Sequence, residues 1–289
     1  MRARAPASSA NLGPGLDALA VALNLYVQVE IEPADSLRLV TEGEGADQFD
    51  PSSHLAVTIA REVLGHDRIS ITVRSEIPLS RGLGSSAALA VAAAAAAGAD
   101  DPFAVATRVD GHPENAAASA FGGLVAATMV DGTAVSVPLP LSDELAFVVM
   151  VPDRTLSTAE ARRVLPDSLS RGDVTFNLGR MGLLLAGLAD PSYLTSAATE
   201  DRVHQAARTA LFPESADLLT AFVEAGALAS CWSGAGSSLL GIATVASAEK
   251  VRQGAESAMR AAGVAGHVMQ LQVDHNGLVL GEAAVLPKG

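Results

Sequence analysis

Residues Pro78 to Gly98 read PLSRGLGSSAALAVAAAAAAG, and the change of composition at the paired serines limits what the chain around them can be. Glycine frees the backbone at an entropic cost, whereas alanine is the best helix former, so the stretch predicts a loop ending at Ser85 and Ser86 and a helix behind them. Ala87 to Ala97 is apolar almost all round, which predicts a buried central helix packed through its small side chains. A loop feeding a helix N-terminus presents unpaired N–H groups and the positive end of the helix dipole, a combination that binds anions, phosphates above all. At the cap, the two serine hydroxyls could complete the cap or ligate a phosphate-bound Mg2+.

The two commonest nucleotide signatures are excluded. A Walker A loop needs a lysine after its last glycine, and the lysines, Lys250 and Lys288, stand far along the chain from this loop. A dinucleotide fingerprint needs a third glycine where Ala87 stands. Some other phosphate cradle is required.

The chain of 289 residues is 49% hydrophobic, enough for one large domain or two sharing an interface. Its net charge of -13 argues against a nucleic acid partner, so positive potential for phosphate must be concentrated in helix N-termini, a few arginines and a divalent metal. The one cysteine, Cys231, excludes an internal disulfide, and its apolar surroundings predict a buried structural thiol. No apolar run reaches the roughly 20 residues of a membrane helix without leaning on alanine, and the basic N-terminus has no apolar stretch behind it. The expectation is a soluble, cytoplasmic, unprocessed protein with no membrane partner.

Alternating patterns at Leu25 to Pro33 and Arg68 to Pro78 predict strands, and serine-capped Leu55, Ile59 and Val63 predict a helix ending at Gly65. Another helix is expected over Pro102 to Val109. Later come strands at TAVSVPLP and LAFVVMVPD, helical segments around Arg180 to Ala189 and Asp217 to Ala225, and a strand and glycine turn at LASCWSGAGSSLLGIAT. An amphipathic helix AEKVRQGAESAMRAAG follows, and Asn276-Gly277 reads as a hairpin turn. The fold class is α+β with a boundary near 145, giving halves 1–145 and 146–289.

Three glycine-bearing stretches, Pro6 to Asp17, Pro78 to Ala88 and Ser233 to Gly241, occur in an order that resembles the GHMP small-molecule kinase superfamily. Within it, ASSANLGPGLDALAVALNLY, IPLSRGLGSSAA, GHPENAAASAFGG, STAEARRVLP, FNLGR and SGAGSSLL are similar to the signatures of the homoserine kinase family. The resemblance implies a two-domain fold, with an N-terminal half like domain 2 of ribosomal protein S5, a ferredoxin-like C-terminal half and the active site between them. It implies ATP held by Pro78, Ser80, Arg81, Gly82, Leu83, Gly84, Ser85 and Ser86, with L-homoserine phosphorylated to O-phospho-L-homoserine for threonine synthesis. By the same resemblance Asn11 lies near the reacting hydroxyl, Asp17 meets the substrate ammonium, His112 and Asn115 flank the substrate, and Arg180 and Arg208 bind its carboxylate. A carboxylate is the natural partner of a fixed positive charge, and two guanidinium forks hold a carboxylate more rigidly than lysine would.

The chain departs from the family pattern at several positions. Arg108 and Asp110 stand where glutamates are usual, Glu114 where aspartate is, Ser237 where proline is and His54 where an adenine-pocket asparagine is common. A cation at Arg108 cannot ligate Mg2+, so Asp110 or Glu114, with Ser85 and Ser86, is expected to supply the metal's protein ligands. Phosphoryl transfer asks mostly for positioning and charge stabilisation, so the hydroxyl proton is expected to pass late, to the phosphate itself. A homodimer formed through an edge strand is a further expectation from the resemblance. Two other readings stay open: a kinase of the same fold for another small alcohol such as mevalonate, and a catalytically weak binding protein.

Overall fold

The computed structural model describes residues 1–46, 48, 50–284 and 286, so Lys288 lies outside the described residues. Strand β1 (Arg2–Asn11) turns into the long β2 (Gly15–Pro33), followed by β3 (Arg38–Gly43), helix α1 (Leu55–Leu64), β4 (Ile69–Ser75), α2 (Ser85–Ala97), α3 (Pro102–Asp110), α4 (Pro113–Phe121), β5 (Leu124–Val130) and β6 (Thr133–Leu139). The chain continues through β7 (Leu145–Pro152), α5 (Thr158–Arg163), α6 (Arg171–Ala189), α7 (Gln205–Arg208), α8 (Ser215–Ala225), β8 (Ala229–Trp232), β9 (Leu239–Thr244), α9 (Ala248–Ala261), β10 (Gly266–Leu271) and β11 (Val279–Leu280).

The first sheet runs β11-β1-β2-β4-β3, with β5 paired to β2 and β6 to β5; only β3 against β4 is parallel among its described pairs. The second sheet is antiparallel in the order β10-β7-β9-β8. With α5 to α8 between its first two strands and α9 between its last two, this is the ferredoxin-like βαββαβ arrangement.

Helix α2 explains the alanine run. Its residues from Ala90 to Ala97 are at most 8% exposed, and it packs against α1, α3, α4, β1 and β2. Side chains no larger than a methyl let so many neighbours approach one helix on every side. The serines do not cap it: Gly84 is the N-cap in the left-handed region, and no side chain bonds the first turn. This corrects the expected serine cap and leaves both hydroxyls clear of capping.

Strand β7 joins two cores. Leu145, Phe147, Val149 and Val151 face the core that contains α2, while Ala146, Val148 and Met150 face a second core with Phe212, Phe222 and Trp232. Alternate residues therefore bury opposite faces, which is why LAFVVMVP carries no polar side chain. Cys231 is buried, and burial pushes its thiol up to about 12, so it is an inert core residue.

Several expectations need correction. The cap of α1 is His54, whose Nδ1 accepts from Ala56 N at 3.2 Å, not a serine. Asn276-Gly277 does not join a hairpin, because β10 pairs with β7 and β11 with β1. The Asp274 carboxylate instead accepts the Asn276 and Gly277 N–H groups at 2.9 and 2.7 Å, turning the chain from one sheet to the other. Helix α6 begins nine residues before Arg180, nucleated by a capping box in which Ser170 and Asp173 satisfy each other's backbone N–H groups.

Candidate active site

The three glycine-bearing stretches converge. Gly82 approaches the third stretch so closely that an added Cβ would lie 2.1 Å from Ser233 O, and its φ of +74° favours glycine. At Gly84 a Cβ would meet Ser8 Oγ at 2.0 Å. Ser233 Oγ donates to Gly82 O, Gly234 N to Ala10 O, Ser238 N to Arg81 O and Ser8 N to Leu83 O, so each loop is pinned by the others. Arg81 ties the second glycine loop to the second half, its Nε donating to Pro152 O and Nη2 to Asp153 O, both at 2.7 Å. The buried Ser237, where the family pattern has proline, donates through its hydroxyl to Arg154 O.

Between these loops and α5 lies a cleft, partly open to solvent, with a cavity volume of about 240 Å³. It is lined by Asn11, Asp17, Pro78, Ser80 to Ala87, Asp110, His112, Glu114, Asn115, Leu156 to Thr158, Arg162, Arg208 and Gly234 to Gly236. All the expected loop residues meet here, as do Asn11, Asp17, His112, Asn115, Asp110, Glu114 and Arg208. Arg180 does not line it. It lies on α6, paired with Glu200 at 2.8 Å and stacked over Phe176 at 4.4 Å, because Phe176 sits one turn earlier on the same face. Arg108 is also outside, paired with Glu62 at 2.7 Å, so an arginine at this position adds no cation to the cleft.

The residue that sequence reading missed is Arg162. Its Nη2 and Nη1 donate to the two Asp17 oxygens at 2.6 and 3.1 Å, a bidentate fork across the cleft. A signal was available: Ser157 and Glu160 form a capping box, which starts α5 and carries Arg162 one turn on. Burial raises the Asp17 carboxyl, but the Arg162 hydrogen bonds and charge outweigh it and hold the group below the usual carboxylate range. Asp17 itself adopts a φ of +55°, presented by a turn in which Asn11 Oδ1 accepts Asp17 N at 3.1 Å. The other end of the Asn11 amide donates to Gly234 O at 2.8 Å, so its carboxamide braces two loops.

Glu114 lies on the first turn of α4, only 2% exposed, with Oε1 accepting from Asn115 Nδ2 at 3.2 Å. Burial, reinforced by the charges of Asp17 and Asp110, raises its carboxyl to about 7. Burial also raises Asp110, against the opposing charges of His112 and Arg162. Asn115 Oδ1 accepts from Ser8 Oγ at 2.8 Å, which fixes its amide orientation. Glu114 Oε2 and Arg162 Nε are buried without a hydrogen-bond partner among the described residues. Leaving such atoms unmet costs about 1–3 kcal/mol each, so a ligand that satisfied them would recover that cost.

A cleft of this build, with a glycine loop at a helix N-terminus between two α+β halves, belongs to the GHMP kinases. The GHMP kinases N terminal domain family matches residues 52–123, and the GHMP kinases C terminal family matches residues 181–261. The homoserine kinase of Desulfitobacterium hafniense is 33% identical, covering 96% of this chain and 98% of that protein. The homoserine kinase of a Mycobacterium species is 39% identical over 82% of this chain and 83% of its own. The crystal structure of homoserine kinase from Cytophaga hutchinsonii superposes with a TM-score of 0.84 at 26% identity, covering 96% of each chain. The chain belongs to the homoserine kinase family.

Proposed function

We propose that this protein transfers the γ-phosphoryl group of ATP to the side-chain hydroxyl of L-homoserine, giving ADP and O-phospho-L-homoserine, a step of threonine biosynthesis. The observation that carries the reading is that Asp17, Arg162 and Arg208 line the same cleft as the glycine loop and the α2 N-terminus. A free amino acid brings an ammonium and a carboxylate, and this set offers a carboxylate and two guanidiniums to receive them. Mevalonate has a carboxylate and a hydroxyl but no ammonium, so it would leave Asp17 unmatched.

In this reading Ser80 to Ser86 and the N–H groups opening α2 hold the ATP phosphates, where the helix dipole favours negative charge. The donor set fits Mg2+: the unpartnered Glu114 Oε2, with Asp110 and the uncapping hydroxyls of Ser85 and Ser86, is hard oxygen throughout. Among the described residues no group of three carboxylates, histidines or cysteines could hold an ion alone, as suits a cation that takes most of its ligands from phosphates and water. When bound, Mg2+ neutralises charge on the phosphate oxygens.

Asp17, Arg162 and Arg208 orient the substrate so that its hydroxyl oxygen lies in line with the γ-phosphorus. As the new P–O bond forms and the bond to the bridging oxygen breaks, the α2 amides stabilise the charge passing to ADP. Asn11 lies near the reacting hydroxyl, and Asn115, held by Ser8, flanks the substrate with His112. Among the described residues no lysine lines the cleft, and Lys250 lies on α9; the hydroxyl proton passes late, to an oxygen of the transferred group. No described helix is long and apolar enough to cross a membrane. An ATP-consuming biosynthetic step supports a cytoplasmic setting.

Phosphorus NMR of a reaction with Mg-ATP and L-homoserine tests the proposal. A phosphomonoester signal split by an adjacent CH2 should grow as the γ-phosphate signal falls. Inorganic phosphate alone, or no change, would contradict it.

A further inference from the structure

We infer that His204 is a positioning residue for the substrate site: as the neutral tautomer protonated on Nε2, it fixes the guanidinium of Arg208 relative to the first glycine loop. The inference rests on the reading of Arg208 as a ligand of the substrate carboxylate.

His204 is fully buried and Arg208 is 2% exposed, so both ring nitrogens of His204 must find their partners within the protein. His204 Nδ1 lies 2.9 Å from Arg208 Nη1. A guanidinium nitrogen can only donate, so Nδ1 accepts and carries no proton. The ring proton is then on Nε2, which donates to Gly13 O at 2.7 Å. Both contacts fit one tautomer and no other. Protonating Nδ1 would point N–H at N–H and set a cation against Arg208, while burial already holds the imidazole down at about 4. Asp201 stands 3.8 Å from Nε2, but beside a neutral ring this is no ion pair. Its carboxylate accepts the backbone N–H groups of Val203, His204 and Gln205, which makes the turn carrying His204 rigid.

Arg208 is held by that ring and by little else. Nη1 also donates to Gly234 O at 2.8 Å, the carbonyl that Asn11 Nδ2 meets, and Nε reaches Ala161 O only at 3.5 Å. Nη2 has no hydrogen-bond partner among the described residues, and Arg208 lines the cleft. One side of the guanidinium is thus fastened and the other is open for a ligand. The bond from Nε2 to Gly13 O fixes the tautomer and seats the ring against the first glycine loop, with Nδ1 facing Arg208.

Two isosteric variants separate the two contacts. In His204→Asn the amide oxygen takes the place of Nδ1 and keeps an acceptor for Arg208; in His204→Gln the amide nitrogen takes the place of Nε2 and keeps the donor to Gly13. His204→Gln is expected to raise the homoserine KM at least tenfold with the ATP KM within twofold, and His204→Asn to recover most of that loss. Crystal structures of the two should show Arg208 displaced in the glutamine variant and retained in the asparagine one. Homoserine and ATP KM values rising together, or the asparagine variant being as impaired as the glutamine one, would overturn the inference. If His204→Gln does not fold, a tenfold homoserine KM defect in His204→Asn overturns it and a near-native value supports it. Wild-type enzyme inert toward homoserine would instead refute the proposed function, and the crystal structures would still decide whether Arg208 follows His204.

Discussion

Asp17 and Arg162, 145 residues apart in the chain, grip each other through two hydrogen bonds of 2.6 and 3.1 Å at the wall of the cleft. An internal carboxylate and guanidinium pair like this resembles in charge the zwitterion it is proposed to receive. The two charges compensate each other before the substrate arrives, while Arg162 Nε stays unpartnered among the described residues.

Asp17→Asn removes the partner of the substrate ammonium. Charge-assisted hydrogen bonds contribute about 1.5–3 kcal/mol, so the homoserine KM should rise about 10- to 100-fold while the ATP KM changes less than threefold. Steady-state kinetics with each substrate varied in turn checks this.

The guanidinium fork of Arg162 has no equivalent in lysine, so Arg162→Lys should cost at least tenfold in kcat/KM for homoserine. Arg180→Ala is the control, since Arg180 meets Glu200 and Phe176 outside the cleft. It should stay within about twofold of wild type in every constant and within about 0.5 kcal/mol in stability. A tenfold homoserine defect in Arg180→Ala would put that arginine back at the substrate.

The loop and the helix behind it were legible because the composition changes abruptly, from glycines at 82 and 84 to serines and alanines; the phosphate reading came from the other glycine stretches, since an ordinary helix start has the same composition. Asp17, His112 and Asn115 were legible only through their neighbours in the motifs. Arg162 was not, since it reaches Asp17 from the second half on a two-turn helix that carries no apolar periodicity. The side that Arg180 takes was not legible either: Phe176 one turn earlier stacks with it, beside Glu200 and off the cleft lining. The hairpin expected at Asn276-Gly277 failed because the Asp274 carboxylate caps that turn, and the strands beside it belong to different sheets.

Gly82→Ala brings a Cβ within 2.1 Å of a backbone carbonyl at a φ of +74°. Backbone strain alone costs about 1–3 kcal/mol, which for a chain of this size lowers Tm by several degrees. Because the clash is with Ser233, the ATP KM should rise as well. A thermal melt and a nucleotide titration measure both effects, and an unchanged Tm would contradict the packing of the three loops.

Stability should also depend on pH through His204, whose charged neighbours are Asp201, Arg208 and Asp17. The unfolded chain takes up the imidazole proton near 6.5, while burial and Arg208 delay uptake in the folded protein until about 4, against the pull of Asp201. The unfolded state therefore binds more protons within this window, and stability falls as pH drops through it, by up to about 3 kcal/mol. Urea midpoints should fall less steeply between pH 6.5 and 4.5 in His204→Asn than in wild type; parallel curves would refute this.

The most direct measurement is ADP release at neutral pH with Mg-ATP and a panel of acceptors: L-homoserine, L-threonine, mevalonate and none. The account predicts turnover that depends on homoserine and exceeds every other condition by at least tenfold. Faster turnover with mevalonate, or ATP binding with no acceptor-dependent ADP release, would contradict it.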